Sequence, residues 1–280
     1  KVAFLILTFF LLNYFAIILL HQQNQQALFY LAPLLMLVNA IIFNWINVQV
    51  HEASHKLLFE SKKLNDLFCD LVLGAWALHD VGTYRSTHLD HHNKLHSDDD
   101  PDKDVYTDFT GSYSRLILGF FSDALSLTAI KRVLKVFKLN KKVEKKWHTA
   151  FFKLLAQCIL LSTLIYFTGV WGFVYYILFQ LLPLFCIFPI LMRIRTVVQH
   201  YSEKLEKDNL WISRTTVSSL LEHIVIGARM DYHFEHHLFP AIPYYNLRVM
   251  HNKLIEFDFF KQKNNYRTNR YYNEYLKLAS

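Results

Sequence analysis

The sequence is short of the residues that break or staple chains. Among its 280 residues are only 7 glycines, 6 prolines and 3 cysteines. No GxGxxG or GxxxxGK string occurs, which removes the common nucleotide-cradling loops. Cys69, Cys158 and Cys186 stand in apolar surroundings without CxxC spacing, so they read as reduced packing residues and not as a disulfide framework. Nor is there a Ser/His/Asp arrangement for acyl transfer. Charge is absent over two long stretches, between Lys1 and Glu52 and between Lys153 and Arg193. Each gap has room for two membrane-spanning helices of about 20 apolar residues.

What is present completes that picture. The chain is 53% hydrophobic and 16% aromatic, a balance that suits lipid-facing helices better than a soluble surface. Its net charge of +7 could serve nucleic acid, but basic residues flanking membrane segments account for it, and no nucleic-acid partner is expected. The first apolar run is too long, and lacks the small-residue pattern, for a cleavable signal peptide. Lys1 in place of an initiating Met suggests that a short N-terminal piece is missing.

Spans are predicted at about 2–20, 27–48, 151–168 and 172–192. Residues 67–79 are too short to span and read as an interfacial or re-entrant helix, and 113–137 as one amphipathic helix on the membrane surface. The segment Lys131 to Lys146 is strongly basic. Four spans form two hairpins whose turns, 21–26 and 168–172, contain no Lys or Arg. The opposite side is therefore expected to be cytoplasmic. The fold expected is an all-α integral membrane protein, one domain over 1–280, with a cytoplasmic helical cap built from 51–148 and 193–280.

All the clustered histidines fall on that capped side. His233, His236 and His237 lie at i, i+3 and i+4, on one helical face, and the same spacing recurs at His88, His91 and His92. His51 and His55 make a shorter pair, and His200, just past the fourth span, is a candidate ninth ligand. Neutral imidazole suits Fe, Zn and Cu. His51-Glu52-Ala53-Ser54-His55 alone could be a zinc-protease signature, with Glu52 as general base. That reading leaves six clustered histidines without a task, whereas a two-metal site uses them all. Any one cluster could merely mark the wet end of a span, but three together argue against it.

His51-x-x-x-His55, His88-x-x-His91-His92 and His233-x-x-His236-His237 resemble the three histidine boxes of the membrane fatty acid desaturase superfamily, which also contains membrane hydroxylases and carotenoid ketolases. The resemblance continues at Asp100-Pro101-Asp102, at Arg195 to His200, and at His236 to Pro240 with Pro243 and Leu247, covering roughly residues 30–251. It implies a non-haem di-iron centre, O2 as oxidant and a long hydrocarbon substrate drawn from the bilayer. Glu52, Asp90, Asp98, Asp100, Asp102 and Glu235 are candidates to accept hydrogen bonds from the ligand imidazoles, with solvated charge the competing reading for Asp98 to Asp102. His96 continues the 88–92 face but lies outside the box. His79, His148, His223 and His251 lack a cluster partner close in sequence, and Asp231 stands where many relatives carry Asn. No His-Pro-Gly-Gly string of a fused cytochrome b5 domain is present, so electrons should come from a separate carrier such as ferredoxin or cytochrome b5. Acyl-lipid desaturation is the first expectation and hydroxylation or ketolation the alternative, because the ligand set does not encode which follows hydrogen abstraction.

Overall fold

The computed structural model describes residues 1–108, 111–139, 147–201, 213–262 and 267–277. Part of the basic segment, 140–146, and residues 202–212 lie outside the described residues, as does the side chain of His148.

Among the described residues, four helices are long and apolar enough to cross a membrane. Helices α1 (Val2–Gln23) and α2 (Gln25–Ser54) are separated by Asn24 alone, whose side-chain oxygen accepts from the Ala27 N–H at 2.9 Å and caps α2. The core between the spans is built from Phe10, Ile17, Phe43, Leu164 and Phe179, while Phe4, Phe9, Phe15, Phe29 and Tyr166 point outward. Large apolar side chains on the outside are what a hydrocarbon solvent permits.

The path from α2 to the next span is helical but broken. Helix α3 (Lys62–Phe68) runs through a π turn, Cys69–Leu73, into α4 (Gly74–Ala77), which ends at Leu78 in a left-handed conformation. This short segment packs into the bundle. The Gln157 amide donates to the carbonyls of Ala75 (3.0 Å) and Trp76 (3.3 Å), and the Gln180 amide donates to Trp76 (2.8 Å). Tyr14 and Tyr176 donate to the side-chain oxygens of Gln180 and Gln157. These bonds satisfy helix-end carbonyls that lipid could not.

Helices α5 (Val81–Lys94) and α6 (Lys103–Thr107) follow. The expected helix over 113–137 is two, α7 (Tyr113–Ala124) and α8 (Leu127–Leu139), because Ser126 turns the chain with φ 61°. Asp123, buried at the end of α7, receives Nε and Nη2 of the buried Arg193 at 2.6 and 2.9 Å, which fixes α7 to the fourth span.

The third span is α9 (Trp147–Thr168). The fourth is one run, Trp171–His200, made of α10 (Trp171–Tyr176), two π stretches at Ile177–Leu181 and Pro183–Ile187, and α11 (Phe188–His200). Beyond it lie strand β1 (Thr215–Val217), α12 (Leu220–Glu222) with a π turn at His223–Gly227, α13 (His233–Leu238), α14 (Tyr244–Leu254), α15 (Asp258–Gln262), strand β2 (Arg267–Asn269) and α16 (Tyr271–Lys277). The strands pair in parallel, Thr215 opposite Arg267, so the fold is mainly helical and not all-α.

The two largest departures from the expected span boundaries have one reason. The second and fourth spanning helices continue to Ser54 and His200, past 48 and 192, and each is 30 residues long. At 1.5 Å per residue that is about 45 Å, against a hydrocarbon core of about 30 Å. An apolar run marks where lipid ends, not where the helix ends. His51 and His200 consequently sit in the last turns of rigid spanning helices.

Candidate metal centre

Four backbone segments deliver the imidazoles. His51 lies in the last turn of α2 and His55 is its C-cap residue; His88, His91 and His92 lie on α5; His200 ends α11; His233, His236 and His237 lie on α13. The α2 and α5 groups are held in register by Arg85, which has no signal in the sequence. Its guanidinium donates to the carbonyls of Ser54 and Ala53, both at 2.8 Å, and forks onto Asp66 at 2.6 and 3.1 Å. One side chain thus closes the open end of α2 and fixes α5 against it. The Asp80 side chain caps α5 by accepting from the Thr83 N–H at 2.8 Å.

Nine ring systems converge. Nitrogens of His51, His55, His88, His92 and His236 form one group, and those of His91, His200 and His237 another, each group with its atoms within 4.8 Å of one another. His233 joins the second group, its Nε2 standing 2.8 Å from Nε2 of His200 and 3.1 Å from Nε2 of His237. In the first group, His55 to His88 and His88 to His92 are 3.0 Å, and His92 to His236 is 3.1 Å, all between Nε2 atoms. Nε2 atoms facing one another in this way cannot all be satisfied by protons between them. The ring nitrogens also leave buried orphans: both nitrogens of His51 and Nδ1 of His200, His233 and His236 lack a hydrogen-bond partner among the described residues.

The spacing tests which ion would fit. Nitrogens about 2.1 Å from a common ion stand about 3.0 Å apart at right angles and about 3.4 Å apart in a tetrahedron. The observed 2.8–3.1 Å separations match the right-angled case, and five donors exceed the four of a structural zinc site. The donor set fits a non-haem metal site.

Electrostatics favour the neutral rings that ligation requires. Burial pushes His55 down to about 4, with Arg85 adding to it, and His92 down to about 3, with His55 and His91 adding. His88, His233, His236 and His237 are held well below the ordinary histidine value by burial and then by neighbouring rings. His91 is the exception. Burial pulls it down, but the hydrogen bond to Asp100 and the charges of Asp102 and Asp100 outweigh that and raise it.

The acidic candidates divide. Asp100 is buried and accepts from His91 Nδ1 (2.9 Å), the Tyr106 hydroxyl (2.5 Å) and the His96 N–H (3.1 Å), which orients the His91 ring with Nε2 free. Glu52 touches His51 only at 3.4 Å, and its Oε2 instead accepts from the Tyr244 N–H at the start of α14. The other four do not hydrogen-bond a clustered imidazole among the described residues. Asp90, on the face of α5 that turns from the centre, and Asp98, in the turn after α5, are exposed and pair with Lys94 and Lys103. Asp102 is half-buried and gives only its N–H to Asp100. Glu235 points to the back of α13, where it accepts from His251 at 2.6 Å and from the Thr215 hydroxyl.

Three of the remaining histidines, His96, His223 and His251, hold backbone or carboxylates. His96 Nε2 donates to the carbonyl of His200 at 2.6 Å, clamping the end of α11, and His223 pairs with Asp231. His79 contacts the Tyr84 and Phe188 rings. Sequence reasoning missed Arg85, His96 as a positioning residue, Tyr106 and Thr215; only the placement of His96 one turn beyond the α5 cluster hinted at its neighbourhood. Cys69 is buried as expected, whereas Cys158 faces outward.

A cleft of ≈ 480 Å³, its open mouth included, adjoins the centre. His51, His88, His91, His200 and His233 line it together with Asn47, Met192, Arg195 and Thr196.

The comparisons agree with this geometry. The profile described as "Fatty acid desaturase" matches residues 27–269. A zeaxanthin 4-ketolase of Chlamydomonas reinhardtii is 25% identical over 214 residues, which cover 74% of this chain and 41% of that protein. The chain thus spans less than half the length of this relative. The profile match takes in all three histidine clusters and all but the first of the four apolar helices, so the chain belongs to the fatty acid desaturase family and is a multi-pass membrane protein.

Proposed function

We propose that the protein oxidises unactivated C–H bonds of a membrane lipid with O2, at a di-iron centre. The observation that carries this reading is the convergence of nine imidazoles from four segments into two adjoining groups. In it, His51, His55, His88, His92 and His236 hold one iron, and His91, His200, His233 and His237 hold the other. Bound there, the irons supply a redox centre that can use O2 against a bond acid–base groups cannot break.

The chain's own residues position that centre and deliver the substrate. Asp100 keeps the His91 proton on Nδ1, Arg85 locks α5 to α2, and His96 clamps His200 through its carbonyl. The cleft opens beside the imidazoles at the ends of spanning helices, where a lipid chain can enter from the bilayer. Electrons come from a separate carrier of ferredoxin or cytochrome b5 type. The helix ends carrying the histidines face the cytoplasm and the spans pair as two hairpins, following the distribution of Lys and Arg. Single-cysteine labelling at Gln23 should then mark the far side and at Asp90 the cytoplasmic side; the reverse pattern would invert the orientation.

Acyl-lipid desaturation is the first reading, supported by the family. Hydroxylation or ketolation is the second, supported by the ketolase relative. Purified protein should carry about two irons per chain, and His236→Ala should abolish both iron binding and product. Mass spectrometry of lipids from an expressing host separates a new double bond from an added oxygen. Stoichiometric zinc with peptidase activity would sink the reading, and the Glu52 carboxylate, engaged at the Tyr244 N–H, is poorly set for a protease's general base.

A further inference from the structure

One charged group in the cleft has no counterpart in metal binding. Arg195 is 5% exposed, yet its two described hydrogen bonds go to neutral acceptors, the Asn44 side-chain oxygen at 2.9 Å and the Met192 sulfur at 2.7 Å. No carboxylate lies within ion-pair distance of it among the described residues. Asp102 lines the same cleft without an ion pair to it, and Asp231, one of whose oxygens is committed to His223, acts on it only through space. A buried cation without a matched anion is costly and normally has a partner.

The guanidinium is also held in place. Asn44 gives its amide hydrogens to the carbonyls of Val225 and Ile226, both at 3.0 Å, so its oxygen is fixed toward Arg195. Asn44, Asn47, Val48 and His51 follow one face of α2 at i, i+3, i+4 and i+7. Arg195 precedes His200 by five residues of α11, about 7.5 Å along the axis. A group bound to Arg195 is therefore within the reach of a small ring or a short run of methylenes from the imidazoles.

We propose that Arg195 is a specificity-determining residue that binds a hydrogen-bond-accepting oxygen at one end of the lipid substrate, so that the C–H bond oxidised lies close to that oxygenated end. Guanidinium only donates, so the ligand atom must be a carboxylate, carbonyl or hydroxyl oxygen. A cleft meant to receive only the methyl end of a hydrocarbon would place no cation here. This inference rests on the metal-centre reading above and goes beyond it in naming the substrate's polar end.

The test uses the iron-loaded chain in lipid nanodiscs and matched probes: hexadecanoic acid, hexadecanol and hexadecane, and a ring-hydroxylated carotenoid with its hydrocarbon parent. Tryptophan quenching gives affinities, and iron content is measured on every sample. The oxygenated member of at least one series should bind ten-fold or more tighter than its hydrocarbon. Arg195→Met should erase that preference with iron retained, Arg195→Lys should keep part of it, and in turnover the loss should fall on KM more than on kcat. Preference for the acid points to an acyl carboxylate, and preference for the hydroxylated carotenoid to an oxygenated ring. Equal binding within both series by the unaltered protein overturns the proposal without needing a variant. So does a preference that survives Arg195→Met. Failure to hold iron at all would instead overturn the metal-centre reading.

Discussion

Asp100 shows how much one carboxylate can organise. It receives the Nδ1 proton of His91, the Tyr106 hydroxyl and the His96 N–H, and His96 in turn holds the carbonyl of His200. Two proposed ligands of the second iron therefore depend on it, one directly and one through the backbone. Asp100→Asn keeps the shape but removes the charge that fixes the His91 tautomer. Iron affinity should fall about 10–100-fold, as for other groups that orient metal ligands, and competition with a calibrated chelator measures it. Unchanged affinity would reduce Asp100 to a helix-end anchor. Glu235, equally buried, is expected to behave differently, because its partners His251 and Thr215 brace α13 from behind.

Among the elements, the long spanning helices matter most for position. Because α2 and the run Trp171–His200 that ends in α11 are each long enough to cross a membrane, His51 and His200 inherit the rigidity of the bundle. Buried polar links tie the segments beyond the spans to those helices. Arg193 and Asp123 are buried partners joining α11 to α7, with N–O distances of 2.6 and 2.9 Å. Asp123→Ala leaves the buried guanidinium without its carboxylate and should cost about 3–5 kcal/mol, read as a lowered unfolding midpoint in detergent. A change below about 1 kcal/mol would mean that the pair is solvated. The break at Ser126 belongs here too: 113–137 reads as one amphipathic stripe, but φ 61° at that residue divides it.

At the scale of the whole molecule, nine converging imidazoles make stability depend on pH. In the metal-free protein His55 and His92 are pushed down to about 4 and about 3, and His88, His233, His236 and His237 also lie well below the unfolded value of about 6.5. Between about 6.5 and those lower values the unfolded chain binds more protons than the folded one. The stability present above about 6.5 is therefore lost as pH falls. His91, shifted upward by Asp100, acts in the opposite sense but is one group against several. The chelator-treated protein should unfold at a lower temperature at pH 5 than at pH 7.5. A midpoint that stays constant or rises on acidification would contradict the assignment of these rings as neutral. Iron should protect at pH 7.5 and be displaced at pH 5, where protons compete for the same nitrogens.

By itself the sequence determined the membrane class, the four spans and the histidine clusters. Each is written in local order: charge-free runs of span length, and imidazoles at i, i+3 and i+4. It also marked His200, through its place after the fourth span, and Asp100 as one of several candidate carboxylates. Tertiary structure alone decided how the nine rings divide into two groups, because His92 meets His236 across 144 residues and His200 meets His233 across 33. It likewise separated Asp100 from Asp90, Asp98 and Asp102, which local sequence makes look equivalent. Burial and direction distinguish them, and both depend on what packs against the helix rather than on the helix. Arg85 was silent in the sequence, and Arg195 showed only as the first residue of the Arg195 to His200 stretch, for the same reason: an arginine's role is set by the acceptors at the end of a long side chain. At Arg85 those acceptors are helix-end carbonyls and a carboxylate, and at Arg195 they are only an amide and a sulfur.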